Sequence, residues 1–511
     1  MDYRQIADEV EAEIASGTLK PGERLPTQRA FARRRRIAVS TAIRVYGELG
    51  RRGLVVGEVG RGTFVRAAPP HPGSVLAEDS GRTPVNLELN YPVVKGQSEL
   101  MARSLGALLR PDVLAAATRP AAADGTPEAR EAAASLLARP GWRPDPARIL
   151  FAGNGRQAIA AALSCLVRPG GRIGVEELTY PLVKAVAERL GIDLVPIAMD
   201  EQGLRPDALT TAHRRTPLSA VYLQPTLHNP LTLTMGEERR RELAGELGEL
   251  DLWAIEDTTW AFLAPRVGTG PPGDMRALGD GPPGGAGLPG GTEPPGGTGL
   301  PGGTGLPGGT GQPDGVRPLG GVRPPGGAPT PSGPADPPPP LAAYAPERTV
   351  LVDSLSKRLA PGLTTGFLVV PAARADDLAR ALRSGAWTAG RFNLEAAVRW
   401  AADGTVAAVG AAKRADAAER YELVRRHLGG FRVRSDPAAY YCWWELPVPW
   451  RAETFAAAAA ERLGIAVTPG TAFAVGSRVP DAVRIGLATP PIPVLAEALR
   501  SLAALAAATA P

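Results

Sequence analysis

Thr349-Val350-Leu351-Val352-Asp353-Ser354-Leu355-Ser356-Lys357 is an apolar strand pattern that ends in hydroxyls and a lysine, and Pro361-Gly362-Leu363-Thr364-Thr365-Gly366 follows it closely. Lysine is scarce in this chain: five occur in 511 residues, at 20, 95, 184, 357 and 413. An amine held at a strand end can condense with a carbonyl group to give a Schiff base, which makes Lys357 a candidate for covalent chemistry.

Upstream, from residue 86 to 265, short apolar runs alternate with helical patterns, as α/β layers require. Ile149-Leu150-Phe151-Ala152 runs into Gly153-Asn154-Gly155-Arg156 and then an apolar helix from Ile159 to Leu166. A strand, a glycine turn and a helix N-terminus point free N–H groups and the helix dipole at an anion, although the same pattern also serves as a plain tight turn. Ile173 to Leu178 leads to Tyr180, Ala220 to Leu223 leads to His228-Asn229-Pro230, and Leu252 to Ile255 leads to Asp257. Each polar group falls at a strand C-terminus, where open parallel sheets build their ligand sites. Taken singly, Asn229-Pro230 is an ordinary turn, Tyr180 a core residue and Arg484, in Val483-Arg484-Ile485-Gly486, a surface arginine. Their order around Lys357 is what points to a site.

A chain that is 44% hydrophobic and 21% charged has material for two or three packed domains. Cys165 and Cys442 cannot make a disulfide framework, and free buried thiols suit a reducing cytoplasm. No window reaches the roughly 20 apolar residues of a membrane helix, so a cytosolic protein is expected. The histidines, at 71, 213, 228 and 427, lack metal-ligand spacing, and no metal is expected.

Residues 1–66 hold 13 Lys and Arg against 8 Asp and Glu, an excess of five that equals the formal charge of the whole chain, +5. A basic segment on a neutral body suggests a nucleic-acid module. Its pattern agrees. Tyr3, Ile6, Ala7, Val10 and Ile14 repeat at helical spacing up to Gly17; Thr27 is placed to cap a second helix; Ala42, Val45, Tyr46 and Leu49 share one face of a third. Leu54 to Gly57 and Gly60 to Val65 read as a hairpin, completing a winged helix-turn-helix. Residues 68–85 have linker composition, and 266–340, which repeats Gly-Leu-Pro-Gly-Gly-Thr, has too few apolar side chains for a core. This second stretch reads as a disordered insertion whose ends must lie close together.

Leu25-Pro26-Thr27-Gln28-Arg29, Arg44-Val45-Tyr46-Gly47-Glu48-Leu49 and Gly60-Arg61-Gly62-Thr63-Phe64-Val65 resemble the head of GntR-type regulators. The resemblance implies that Arg29, Ser40, Thr41, Arg44, Gly60 and Arg61 contact DNA. Three positions depart from the pattern: Arg35 replaces an apolar residue, Ala38 a helix cap and Val39 a DNA-contacting arginine. Arg33 to Arg36 are candidates for substitute phosphate contacts.

Residues 86–511 are similar to fold-type I pyridoxal-phosphate enzymes of the aminotransferase class, and with the head the chain resembles the MocR type of bacterial regulator. This implies a winged helix-turn-helix over 1–67, a linker over 68–85, and an α/β aminotransferase-like domain over 86–511. That domain has a mainly parallel sheet and a small C-terminal subdomain from about 371. By the same resemblance Lys357 forms the Schiff base with pyridoxal phosphate, Asp257 pairs with the pyridinium nitrogen, Asn229 meets the ring hydroxyl and Tyr180 stacks on the ring. Gly155, Arg156, Ser354 and Ser356 hold the phosphate, and Arg484 takes an amino-acid carboxylate. Thr258-Thr259-Trp260 lacks the tyrosine usual after the aspartate, and Thr364 stands where a phosphate-gripping arginine is usual; Arg156 or Arg358 could compensate.

These expectations describe a DNA-binding regulator, a homodimer, that senses pyridoxal phosphate or an amine or amino acid. Two alternatives stay open: an aminotransferase with an accessory head, and a cofactor-free scaffold for dimerisation. Transaminase activity is expected to be vestigial at most.

Overall fold

The computed structural model describes residues 3–16, 18–19, 22–51, 54–58, 62–65, 83–264, 337–476 and 479–508. Gly17, the wing tip with Gly60 and Arg61, most of the 68–85 linker and nearly all of the 266–340 insertion lie outside the described residues.

The head is built from α1 (Tyr3–Ala15), α2 (Gln28–Arg35), α3 (Val39–Arg51) and an antiparallel hairpin of β1 (Val55–Glu58) and β2 (Gly62–Val65). Ile6, Ala7, Val10 and Ile14 of α1 meet Phe31 of α2 and Ala42, Val45, Tyr46 and Leu49 of α3 in one core. Thr27 caps α2, its Oγ1 accepting from Ala30 N at 3.3 Å. Arg35, out of place in an apolar pattern, pairs with Glu9 at 2.8 Å and Glu13 at 2.5 Å on α1. It therefore joins two helices of the head.

The body centres on seven strands: β3 (Ile149–Ala152), β4 (Arg172–Glu176), β5 (Asp193–Ile197), β6 (Ala220–Leu223), β7 (Trp253–Asp257), β8 (Thr349–Ser354) and β9 (Gly366–Val369). Their spatial order is β3-β9-β8-β7-β6-β4-β5, and β9 alone runs against its neighbours. Helices cover both faces, so β3, β6, β8 and β9 are buried at every position, and all but β8, whose apolar stretch is Val350–Val352, read as unbroken apolar runs. The parallel pair β7–β8, in register Asp257 to Val352, spans the insertion and brings Asp257 and Ser354 to one edge of the sheet.

Described residues on either side of the insertion come together. Pro337, Pro338 and Pro340 line a small cavity with Thr258 and Ala261. The Glu256 carboxylate accepts from Leu341 N at 2.8 Å and Ala342 N at 2.9 Å, holding the one-turn helix Leu341–Tyr344, and Arg240 Nη1 stands 3.5 Å from its Oε1. Both charges are fully buried, so neither tolerates loss of its partner.

A second core combines Leu87 with residues from Leu423 to Ala506 under an antiparallel sheet, β10 (Arg432–Ser435), β11 (Tyr441–Glu445), β13 (Ala482–Gly486) and β12 (Thr468–Pro469), in that order. Leu378 and Leu382 pack into the core of the large sheet, and Leu394 and Trp400 pack with Phe151 and Phe367.

Candidate functional site

Lys357 lies on a one-turn helix, Leu355–Arg358, which Ser354 caps by accepting from Ser356 N at 3.3 Å. Its Nζ donates to the backbone carbonyl of Asn90 at 2.7 Å, stands 4.1 Å from the centroid of the Tyr91 ring and 5.2 Å from that of Trp260. Burial holds the amine's pKa well below the ordinary lysine range, and the charges of Arg156, Arg484 and Lys413 push the same way. The proton is thus easily lost, the condition for a nucleophilic amine.

Asp257, at the tip of β7, accepts from Tyr222 Oη at 2.7 Å, Gln224 Nε2 at 3.0 Å and Thr259 N at 2.9 Å. Burial raises its pKa and these donors oppose the rise. Behind it, Gln224 N donates to Glu176 Oε2 at 3.0 Å, and Asn229 N donates to Gln224 Oε1 at 3.3 Å across the loop that holds the cis Asn229-Pro230 bond. The Asn229 side-chain oxygen is buried without a hydrogen-bond partner.

At the other end, Asn154 caps helix α4 (Gly155–Leu166) by accepting from Gln157 N at 3.0 Å. A Cβ on Gly155 would sit 3.0 Å from Ser354 Oγ, so glycine is what lets this helix start close to the serine. Gly366 is more constrained: its Cβ would lie 2.4 Å from Asn154 O, against backbone that cannot yield. Ser356 Oγ and Thr364 Oγ1 are 2.8 Å apart. Arg156 reaches Tyr91 Oη at 3.0 Å and also interacts with Tyr180. Arg358 points elsewhere, into a buried pair with Asp353 at 2.5 Å.

Arg484, on β13, is buried over the Phe473 ring, 5.3 Å from its centroid. Its Nη2 donates to Thr468 Oγ1 at 3.0 Å and to the Glu88 carbonyl, leaving Nε without a partner. Trp260 fills its place as a buried apolar ring edge-on to Tyr441, with 5.5 Å between centroids.

Asp257 and Ser354 lie at the ends of β7 and β8, with Ser356 and Lys357 on the turn that follows; Gly155 stands close to Ser354, Arg156 interacts with Tyr180, and Asn229 N reaches Gln224, which donates to Asp257, while Arg484 stands on the antiparallel sheet. Sequence reasoning missed Asn90, Tyr91, Tyr222, Gln224 and Lys413. Tyr222 and Gln224 carried a usable signal, since both belong to the strand run already assigned to the site. Asn90 and Tyr91 carried none, lying in an irregular segment. The head residues Arg29, Ser40 and Arg44 are exposed, and Thr41 is half-buried.

Residues fit for pyridoxal phosphate are present: an amine with a lowered pKa, a carboxylate anchored by three donors, a buried asparagine amide whose oxygen lacks a partner, and the Ser354 hydroxyl facing a helix start made of glycine. Among the described residues no cluster of His, Cys, Asp and Glu could hold a metal ion, and no helix is long and apolar enough to cross a membrane.

The model of the gntR family of bacterial regulatory proteins matches residues 2–65, and that of aminotransferase class I and II matches 117–259 and 328–502. The uncharacterised HTH-type transcriptional regulator YdeF of Bacillus subtilis is 26% identical over 507 residues, 96% of this chain and 90% of its own length. The HTH-type pyridoxine biosynthesis transcriptional regulator PdxR of Corynebacterium glutamicum is 23% identical over 256 residues, 50% of this chain and 55% of its own length. Among solved structures, an archaeal alanine:glyoxylate aminotransferase superposes with a TM-score of 0.64 at 18% identity, covering 89% of this chain and 97% of that one. LysN of Thermus thermophilus, an α-aminoadipate aminotransferase, gives 0.63 at 18% identity over 85% of this chain and 95% of its own. At such identities the structures show the fold.

Proposed function

The chain belongs to the aminotransferase class I and II family and carries a gntR-type DNA-binding head, and from that premise we propose a transcriptional regulator whose body binds pyridoxal phosphate and reads an amine or amino acid through it. The observation that carries the proposal is the placement of the Lys357 amine: it meets a backbone carbonyl and aromatic faces instead of a carboxylate, in line with an anchored Asp257.

Pyridoxal phosphate, when bound, supplies an aldehyde that condenses with primary amines and a ring that acts as an electron sink. Lys357 offers the amine, and Asp257, steadied by Tyr222, Gln224 and Thr259 N, offers a carboxylate for the ring nitrogen. Asn229 offers its amide to the ring hydroxyl and Tyr180 its face to the ring. Gly155 N–H, Ser354, Ser356 and Arg156 would hold the phosphate, with Thr364 contributing a hydroxyl where a charge is usual. An effector amine would have to take the place of Lys357 at the cofactor's aldehyde, and Arg484 would favour one that bears a carboxylate. A ligand that contacts the two states of the body differently would then bias the heads, which in a homodimer read paired half-sites.

Full-length protein tests this directly. We expect a visible absorption band on adding pyridoxal phosphate, lost in Lys357→Ala, and a mobility shift of specific DNA. A colourless protein under saturating cofactor would leave the scaffold reading; sustained turnover of amino donors without specific DNA binding would leave the enzyme reading.

A further inference from the structure

We infer that α3 reads thymine methyl groups through Val39 and Ile43, so the operator half-site carries A·T pairs beneath the outer face of that helix. The inference rests on the DNA-binding reading of the head and adds its base preference.

Helix α3 buries Ala42, Val45, Tyr46 and Leu49 against the head's core. Its opposite face presents Val39, 44% exposed, and Ile43, 51% exposed, one turn apart. Large exposed hydrophobics number eight among the described residues, and two of them are these. Branched apolar side chains on the recognition helix of a winged helix-turn-helix supply no hydrogen bond to a base edge, so guanine O6 and N7 gain nothing from them. The thymine C5-methyl is the apolar feature of the major groove, and burying it against an aliphatic side chain is favourable.

Charge decides which partner covers this face. Arg29, Arg33 and Arg34 of α2 and Arg44 of α3 are all exposed on the same two helices. Such a cationic surround fits an apolar strip walled by phosphates, and it opposes an uncharged or basic protein surface. Spacing agrees: residues four apart on a helix rise about 6 Å along its axis, against about 3.4 Å per base pair, so the two methyl groups stand within about two base steps.

The experiment selects sites from random duplex DNA with the full-length protein, then replaces each selected thymine by uracil, which lacks only the methyl group. Loss of about fourfold in affinity per methyl is expected at two positions within two steps, the weight of one buried carbon. Val39→Ala and Ile43→Ala should bind the thymine site more weakly while losing the distinction between thymine and uracil, a coupling that a folding defect would not produce. Enriched sites bound equally well with uracil, or with guanine fixed beneath α3, would overturn the inference alone. Failure to enrich any sequence would overturn it together with the DNA-binding reading.

Discussion

Arg358 donates to Asp353 at 2.5 Å within a pair that is almost wholly buried, so the guanidinium adjoining Lys357 in the chain is a structural group. That leaves Arg156 as the arginine for a phosphate. Arg358→Ala should cost about 3–5 kcal/mol of stability by stranding the Asp353 carboxylate. Arg156→Ala, at an exposed side chain, should melt like the parent protein and weaken pyridoxal phosphate binding roughly ten- to hundredfold, the worth of a charge-assisted contact. Absorbance titration alongside thermal melting checks both; equal cofactor affinity in Arg156→Ala would refute the assignment.

Tyr222 anchors Asp257 from β6, one strand away. Removing its hydroxyl takes away a donor that stabilises the ionised carboxylate, so the pKa of Asp257, already raised by burial, should climb further. Tyr222→Phe is expected to weaken cofactor binding about tenfold and to move the absorption band's pH profile, whereas a merely structural tyrosine would alter neither.

Lys413 is buried under the same helix turn, donating to the backbone carbonyls of Lys357 at 2.9 Å and Leu359 at 2.6 Å, and burial lowers its pKa to about 7. Between about pH 7 and roughly pH 10 the unfolded chain holds a proton that the folded chain lacks. Stability should therefore rise with pH across that window, and the cost of the buried charge is complete below it. In Lys413→Met the rise should flatten, so the variant gains on the parent most at pH 6–7 and least near pH 10. Melting temperatures that run parallel across the range would contradict this.

Arg35 spends its charge on Glu9 and Glu13, partly exposed pairs worth at most about 1 kcal/mol each. Arg35→Leu should leave DNA affinity and its salt dependence unchanged. Arg44→Ala, at an exposed position of α3, should weaken binding and reduce the salt slope by about one unit. Binding isotherms at several salt concentrations separate the two.

Period and punctuation in the sequence determined much of this protein. The helical spacing of Ile6, Val10 and Ile14 and of Ala42, Val45 and Leu49 marked helices whose apolar faces do meet, and buried apolar runs ending in Asp257 and Lys357 marked parallel strands. These are local signals, set by backbone repeat and burial, and they survive without any knowledge of partners. Tertiary structure alone decided how individual charges are used. Arg35, Arg358 and Arg156 look alike in sequence, yet the first two are neutralised by carboxylates from α1 and β8 while the third stays near the site. Asn90 and Tyr91 reach Lys357 across 267 residues, a contact of Lys357 Nζ with Asn90 O that no period announces. The same holds for the second core, in which Leu87 packs among residues from Leu423 to Ala506. Which charge meets which partner depends on long-range packing, and that is fixed only when the chain closes.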